Sequence, residues 1–210
     1  MQKCPYDYIC FTDGSCRITK DGYYSAYGVV IVNTNSMTYT TAGGDLGERT
    51  SIFAEIYAIY KATAHLVDMG KDREIKALIV TDSKFCVQSL TYYIYKDWDT
   101  TSSIWLKKDR KPVNNQEVFK RIKYLTDTNP NVKIEIVHIN SHVKNDKQAI
   151  SKVISKFQDY QLYLDYTTVQ TMIAMNNLAD RIATGITARR IKEDLEHGKL
   201  PRLQWKKPVL

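Results

Sequence analysis

Apolar residues along this chain fall first into short β-type runs and later into helical spacing, and the order of the two predicts the architecture. Tyr8 to Cys16 (YICFTDGSC) opens with a buried strand at Ile9, Cys10 and Phe11 that stops on Asp13 and Gly14. Gly22 to Asn33 (GYYSAYGVVIVN) is β-branched and aromatic, a second strand. Met37 to Ala42 (MTYTTA) alternates after the turn-prone Asn33-Thr34-Asn35-Ser36, which predicts a hairpin. Ile52, Ile56, Ile59, Thr63 and Leu66 then recur at helical spacing within Ser51 to Met69, with Ser51 as N-cap and Gly70 as terminator. Glu74 to Thr81 (EIKALIVT) reads as a fourth strand, and a helix follows from about Lys84 to Tyr95. Asn114 to Asp127 is a further helix, Val132 to Ile139 a fifth strand, and the stretch from about Lys147 to Arg190 is mostly helical. Hairpin strands followed by βα alternation specify an α/β fold, a mixed sheet with helices packed on it.

Composition narrows the class. At 210 residues the chain suits one domain with a substantial core, and 43% hydrophobic with 25% charged residues is ordinary for a globular protein. A net charge of +7 favours a polyanionic partner. No apolar run approaches membrane-spanning length, and MQKCPYDY lacks the layout of a signal peptide, so a soluble cytoplasmic protein is expected, with nothing demanding a dimer. Cys4, Cys10, Cys16 and Cys86 lack the paired short spacings of a zinc site and read as structural thiols. Residues 191–210 read as a less ordered basic tail.

The candidate chemistry lies in acids at particular places. Asp13 and Asp82 each follow a buried strand, in FTDGS and VTDS, at the strand ends where sheet-based sites form. A turn is the competing reading of Asp13-Gly14, and a helix N-cap that of Asp82. Glu55 falls on the border of the helical stripe facing the sheet, where a carboxylate is costly unless paired or metal-bound. Asp180 stacks with Asn176 one turn earlier, outside the stripe of Met175, Leu178, Ala179 and Ile182, and by itself reads as a solvated face. The stretch NVKIEIVHINSH ends on His142, in a loop just beyond the strand.

Taken together, FTDGSC, TSIFAEIYAI, VTDSKFCVQSL, VHINSH and NNLADRIA resemble the ribonuclease H family, type 1, over roughly residues 6–144 and 172–190. The run KKDRKPVNNQEVFKRI is similar to the K-P-V-x-N helix opening common in that family. The resemblance implies a ribonuclease H-like fold: five strands, three antiparallel and then parallel ones, flanked by helices. It implies a single domain over residues 1–190 with a helical insertion at about 145–171. It also implies a two-metal nuclease that cuts the RNA strand of RNA/DNA hybrids. Asp13, Glu55, Asp82 and Asp180 would hold two Mg²⁺ ions, with Mn²⁺ an alternative, and His142 would move protons or assist product release. Ser15, Ser51 and Asn176 would touch substrate. Between Trp105 and Tyr124 stand seven Lys/Arg residues against Asp109 and Glu117. Of these, Lys107, Lys108, Arg110 and Lys111, beside Trp98 and Trp105, suit a sugar–phosphate backbone.

Three features depart from the family. CRITKDGYYSAYG replaces its glycine-rich turn, Ser51 and Ile52 replace asparagines before Glu55, and 38 positions separate His142 from Asp180. These leave room for two rival readings: a related nuclease of structured DNA or double-stranded RNA, and a catalytically silent nucleic-acid-binding module.

Overall fold

The computed structural model of the chain describes residues 4–19, 22–140, 147–160, 162 and 165–196. Five strands form one sheet: β1 (Tyr8–Thr19), β2 (Gly22–Asn33), β3 (Thr38–Gly47), β4 (Ile75–Thr81) and β5 (Val132–His138). Their spatial order is β3-β2-β1-β4-β5. The first three pair antiparallel, and β4 and β5 run parallel beside β1.

The pleat splits the core in two. Tyr8 and Cys10 of β1 join Ile56, Ile59 and Leu66 of helix α1 (Ser51–Met69) on one face of the sheet. Ile9 and Phe11 point the other way, onto α5 (Lys147–Gln158) and α6 (Tyr166–Glu196). Between β4 and β5 come α2 (Lys84–Gln88), a π-helical turn (Ser89–Tyr93), α3 (Ile94–Lys96) and α4 (Gln116–Thr128). No described helix is long and apolar enough to cross a membrane.

Several boundaries differ from the sequence reading. β1 does not stop at Asp13: it runs on to Thr19, because Asp13 to Thr19 stay paired with Gly28 to Gly22 of β2. The N-cap of α1 is Thr50, whose Oγ1 accepts from the Phe53 amide at 3.2 Å, and Ser51 is already helical. Helix α6 begins at Tyr166, so the last part of the segment read as an insertion is its first turn. The same helix extends to Glu196, into the segment read as a tail. Residues 197–210 and His142 lie outside the described residues.

Candidate metal centre and nucleic-acid surface

Sheet register places the acids. Parallel pairing of β1 with β4 ends at Thr12 opposite Thr81, and β4 with β5 at Thr81 opposite His138. One residue beyond that row the chain leaves the sheet at Asp82, while Asp13 remains paired with Gly28. Two carboxylates thus stand on neighbouring strands at one level.

Two glycines bring the helices close enough to add more. A Cβ on Gly14 would lie 2.3 Å from the Glu55 nitrogen, so only glycine lets the backbone of α1 touch β1 there. Gly14 therefore serves helix approach, not a turn, and its amide hydrogen-bonds Glu55. A Cβ on Gly28, the partner of Asp13, would lie 2.1 Å from the Ala179 carbonyl oxygen of α6. That contact sets Asp180, the next residue, beside Asp13. The inward face of α6 runs through Met172, Asn176, Ala179, Ala183 and Thr187. Asn176 is buried, and Asp180 is half-buried rather than solvated. The bulky stripe expected from the sequence flanks this face, because the close approach needs small residues at its centre.

Ligand oxygens of Asp13, Glu55 and Asp82 all lie within 4.8 Å of one another. Asp180 stands outside that group, but its charge reaches Asp13 and Glu55. Burial, then the charges of Asp82 and Asp180, push Asp13 up to about 8. Glu55 is raised well above the usual carboxylate range by burial, Asp13 and Asp82, against the opposing Gly14 hydrogen bond. Among the described residues, no cation shifts either acid. Glu55 Oε2 is buried with no hydrogen-bond partner. A buried acceptor among mutually repelling carboxylates calls for protons or a dication, and the all-oxygen donor set fits a hard ion such as Mg²⁺.

The ribonuclease H family profile matches residues 5–186. This chain belongs to the ribonuclease H family. It is 35% identical over 108 residues to ribonuclease H of Tropheryma whipplei strain Twist, a match covering 50% of this chain and 58% of that relative. The chain therefore spans somewhat over half the length of the curated relative. Among solved structures, the PFV RNase H domain superposes with a TM-score of 0.59 at 21% identity, covering 87% of this chain and 95% of that one. LC11-RNase H1, solved with an RNA/DNA hybrid, superposes at 0.57 with 19% identity, covering 88% of this chain and 99% of that one. At such identity the two structures establish the fold.

The remaining candidate residues separate into exposed and buried groups. A cleft of about 750 Å³ is lined by Thr50, Ile52, Phe85, Trp98, Lys107 and Lys108 among others. Ser51 is exposed at its edge. Lys107 to Lys111 form a built turn, with hydrogen bonds from the Lys107 amide to the Lys111 carbonyl and from the Arg110 amide to the Lys107 carbonyl. Lys108 pairs with a half-buried Asp97 at 2.7 Å, while Arg110 with Asp99 at 3.9 Å and Lys111 with Asp109 at 3.3 Å are exposed pairs and therefore weak. Trp105 is only 6% exposed and packs beside Trp98 under the Lys120 ammonium. It anchors the basic loop instead of offering a face to a ligand. Ser15 is likewise buried, its hydroxyl 3.2 Å from that of Thr187 on α6. Thr50 and His138 carry little sequence signal, since Thr-Ser-x-Phe-x-Glu allows either residue as cap and His138 is a plain strand-end histidine until its neighbours are seen.

Proposed function

We propose that this chain is a divalent-metal-dependent endonuclease that hydrolyses the RNA strand of RNA/DNA hybrids. The observation that carries the reading is the approach of the Asp13, Glu55 and Asp82 oxygens to within 4.8 Å, with Glu55 Oε2 lacking any partner. Asp13, central in the sheet, Glu55 and Asp82 would hold Mg²⁺, and Asp180 would complete a four-carboxylate set able to share two ions. Such ions, when bound, would lower the pKa of a coordinated water so that its hydroxide can attack phosphorus, and would neutralise charge on the leaving 3′-oxygen. The chain's own part is to fix the carboxylates through the Gly14 and Gly28 contacts and to keep their negative charge concentrated and partly dry. His142, a few residues past the end of β5 and outside the described residues, would accept or return a proton near the leaving group. Substrate would lie across the cleft at Ile52, Phe85 and Trp98, with Lys107 and Lys108 against phosphates.

Family membership and the hybrid bound to LC11-RNase H1 support the substrate class. The crowding of the carboxylates, with Glu55 Oε2 left without a hydrogen-bond partner, weighs against a silent binding module, for which gathering like charges has only a cost. On this reading residues 1–190 act as one domain and as a monomer. Hybrid, duplex DNA and duplex RNA, each offered with Mg²⁺ and with chelator, test it. Cleavage of the RNA strand of the hybrid, lost with chelator, is expected. Preferential cutting of duplex DNA or duplex RNA would replace the substrate, and no metal-dependent cutting of any of the three would overturn the enzymatic reading.

A further inference from the structure

The β5 side of the carboxylate cluster carries the opposite charge. His138 closes β5 beside Thr81, and its ring hydrogen-bonds the backbone of Asp82. Its Nδ1 lies 3.2 Å from Lys156 Nζ, on α5. An ammonium only donates, so Nδ1 accepts from Lys156 and the ring proton sits on Nε2, where it serves the Asp82 carbonyl. Lys84, two residues past Asp82, is exposed, and its charge reaches both His138 and Lys156.

Among the described residues neither Lys84 nor Lys156 forms an ion pair. Lys156 is half-buried, and burial followed by the Lys84 charge lowers its pKa. Gathering positive groups in a partly dry place costs free energy that a bound anion removes. The helix that delivers Lys156 is firmly seated: Ile150, Val153 and Phe157 are buried with Val137 and Ile139 in one cluster. Lys152, exposed one turn earlier on α5, continues the positive stripe.

We propose that Lys84 and Lys156, the latter oriented by His138, bind a backbone phosphate of the nucleic-acid strand next to the one held at the carboxylate centre. This rests on the nuclease reading for its ligand and extends it. The extra helix α5 becomes a clamp on the substrate strand, and His138 a positioning residue that joins the clamp to the strand end carrying Asp82.

The test uses the full chain with Lys84→Met and Lys156→Met combined, which keeps the apolar stems and removes the charges. Binding of a fluorescent hybrid is titrated with salt in chelator, and cleavage is measured in Mg²⁺. Loss of one phosphate contact should reduce the slope of log K against log salt by about one. KM should rise about tenfold while kcat at saturation stays within roughly threefold, as expected for a contact made equally in ground and transition states. Lys156→Arg should restore binding, and Lys133→Met, an exposed lysine early in β5, should change nothing. A folded double variant with the wild-type slope and KM overturns the inference while leaving the nuclease reading intact. A wild-type chain that binds hybrid without cutting it overturns the nuclease reading alone, and the slopes still decide the phosphate site. A wild-type chain that does not bind hybrid overturns both.

Discussion

Asp13 shows what a single residue owes to its surroundings. Asparagine would satisfy a turn as well as aspartate, but at the end of the β1–β4 pairing the side chain is 7% exposed and faces other carboxylates. Asp13→Asn should lower hybrid cleavage by several orders of magnitude in saturating Mg²⁺, since removing the charge forfeits several kcal/mol of metal-borne stabilisation. Hybrid binding in chelator should survive. Near-normal metal-dependent cleavage by the variant would remove Asp13 from the centre. Asp13 and Asp82 are legible in the sequence, because a charge at the end of a buried apolar run needs a reason, whereas Asp180 alone reads as a solvated helix face. The local geometry is not legible. Asp-Gly reads as a turn wherever it occurs, and only the continued pairing with β2 and the α1 backbone against Gly14 show otherwise. Gly28 carried no sequence signal, yet Gly28→Ala should cost about 1 to 3 kcal/mol by overpacking against the Ala179 carbonyl. It should also reduce kcat, because relief requires α6, and Asp180 with it, to move. An unchanged melting temperature and kcat would show that α6 accommodates the methyl in place.

Elements were recovered where the apolar period was strong and the partner face was obvious, as in α1 and in β4. They were misjudged where a helix meets the sheet through small or polar residues. The inward face of α6 contains Asn176, Ala179, Ala183 and Thr187, so its apolar period is faint and the bulky residues flanking it look like the buried stripe. The extra helix α5 was visible from Ile150, Val153, Ile154 and Phe157, but its integration was not. Phe157 is 1% exposed and shares a cluster with Phe11, Val80 and Val137 of the sheet. Phe157→Ala should therefore destabilise the whole chain by about 3 to 5 kcal/mol in a single cooperative denaturant transition. A loss below about 1 kcal/mol, or an early separate transition, would make α5 an appendage that unfolds on its own.

At the scale of the molecule, the acid cluster couples stability, pH and metal. Asp13 has an ordinary unfolded value near 3.8 and a folded value of about 8, and Glu55 moves in the same direction. Between those values the folded chain holds more protons than the unfolded one, so the contribution of Asp13 is present below 3.8 and is lost as pH rises through 8. His138 acts with the opposite sign, since a lowered folded pKa makes stability rise with pH, but its effect is complete above its ordinary value of 6.5. The carboxylates are therefore isolated between about pH 7 and 8, where Asp13 alone should cost the metal-free protein roughly 1 kcal/mol. Mg²⁺ binds the charged form and competes with those protons, so it should raise the melting temperature more at pH 8 than at pH 7. Thermal melts at the two pH values, with Mg²⁺ and with chelator, measure this directly. Asp13→Asn should flatten the metal-free pH dependence and shrink the Mg²⁺ increment, while being as stable as or more stable than the wild type in chelator. A metal-free wild type that keeps or gains stability from pH 7 to 8, with the variant tracking it, would mean the carboxylates are not crowded, and the charge argument for a metal at Asp13, Glu55 and Asp82 would fail with it.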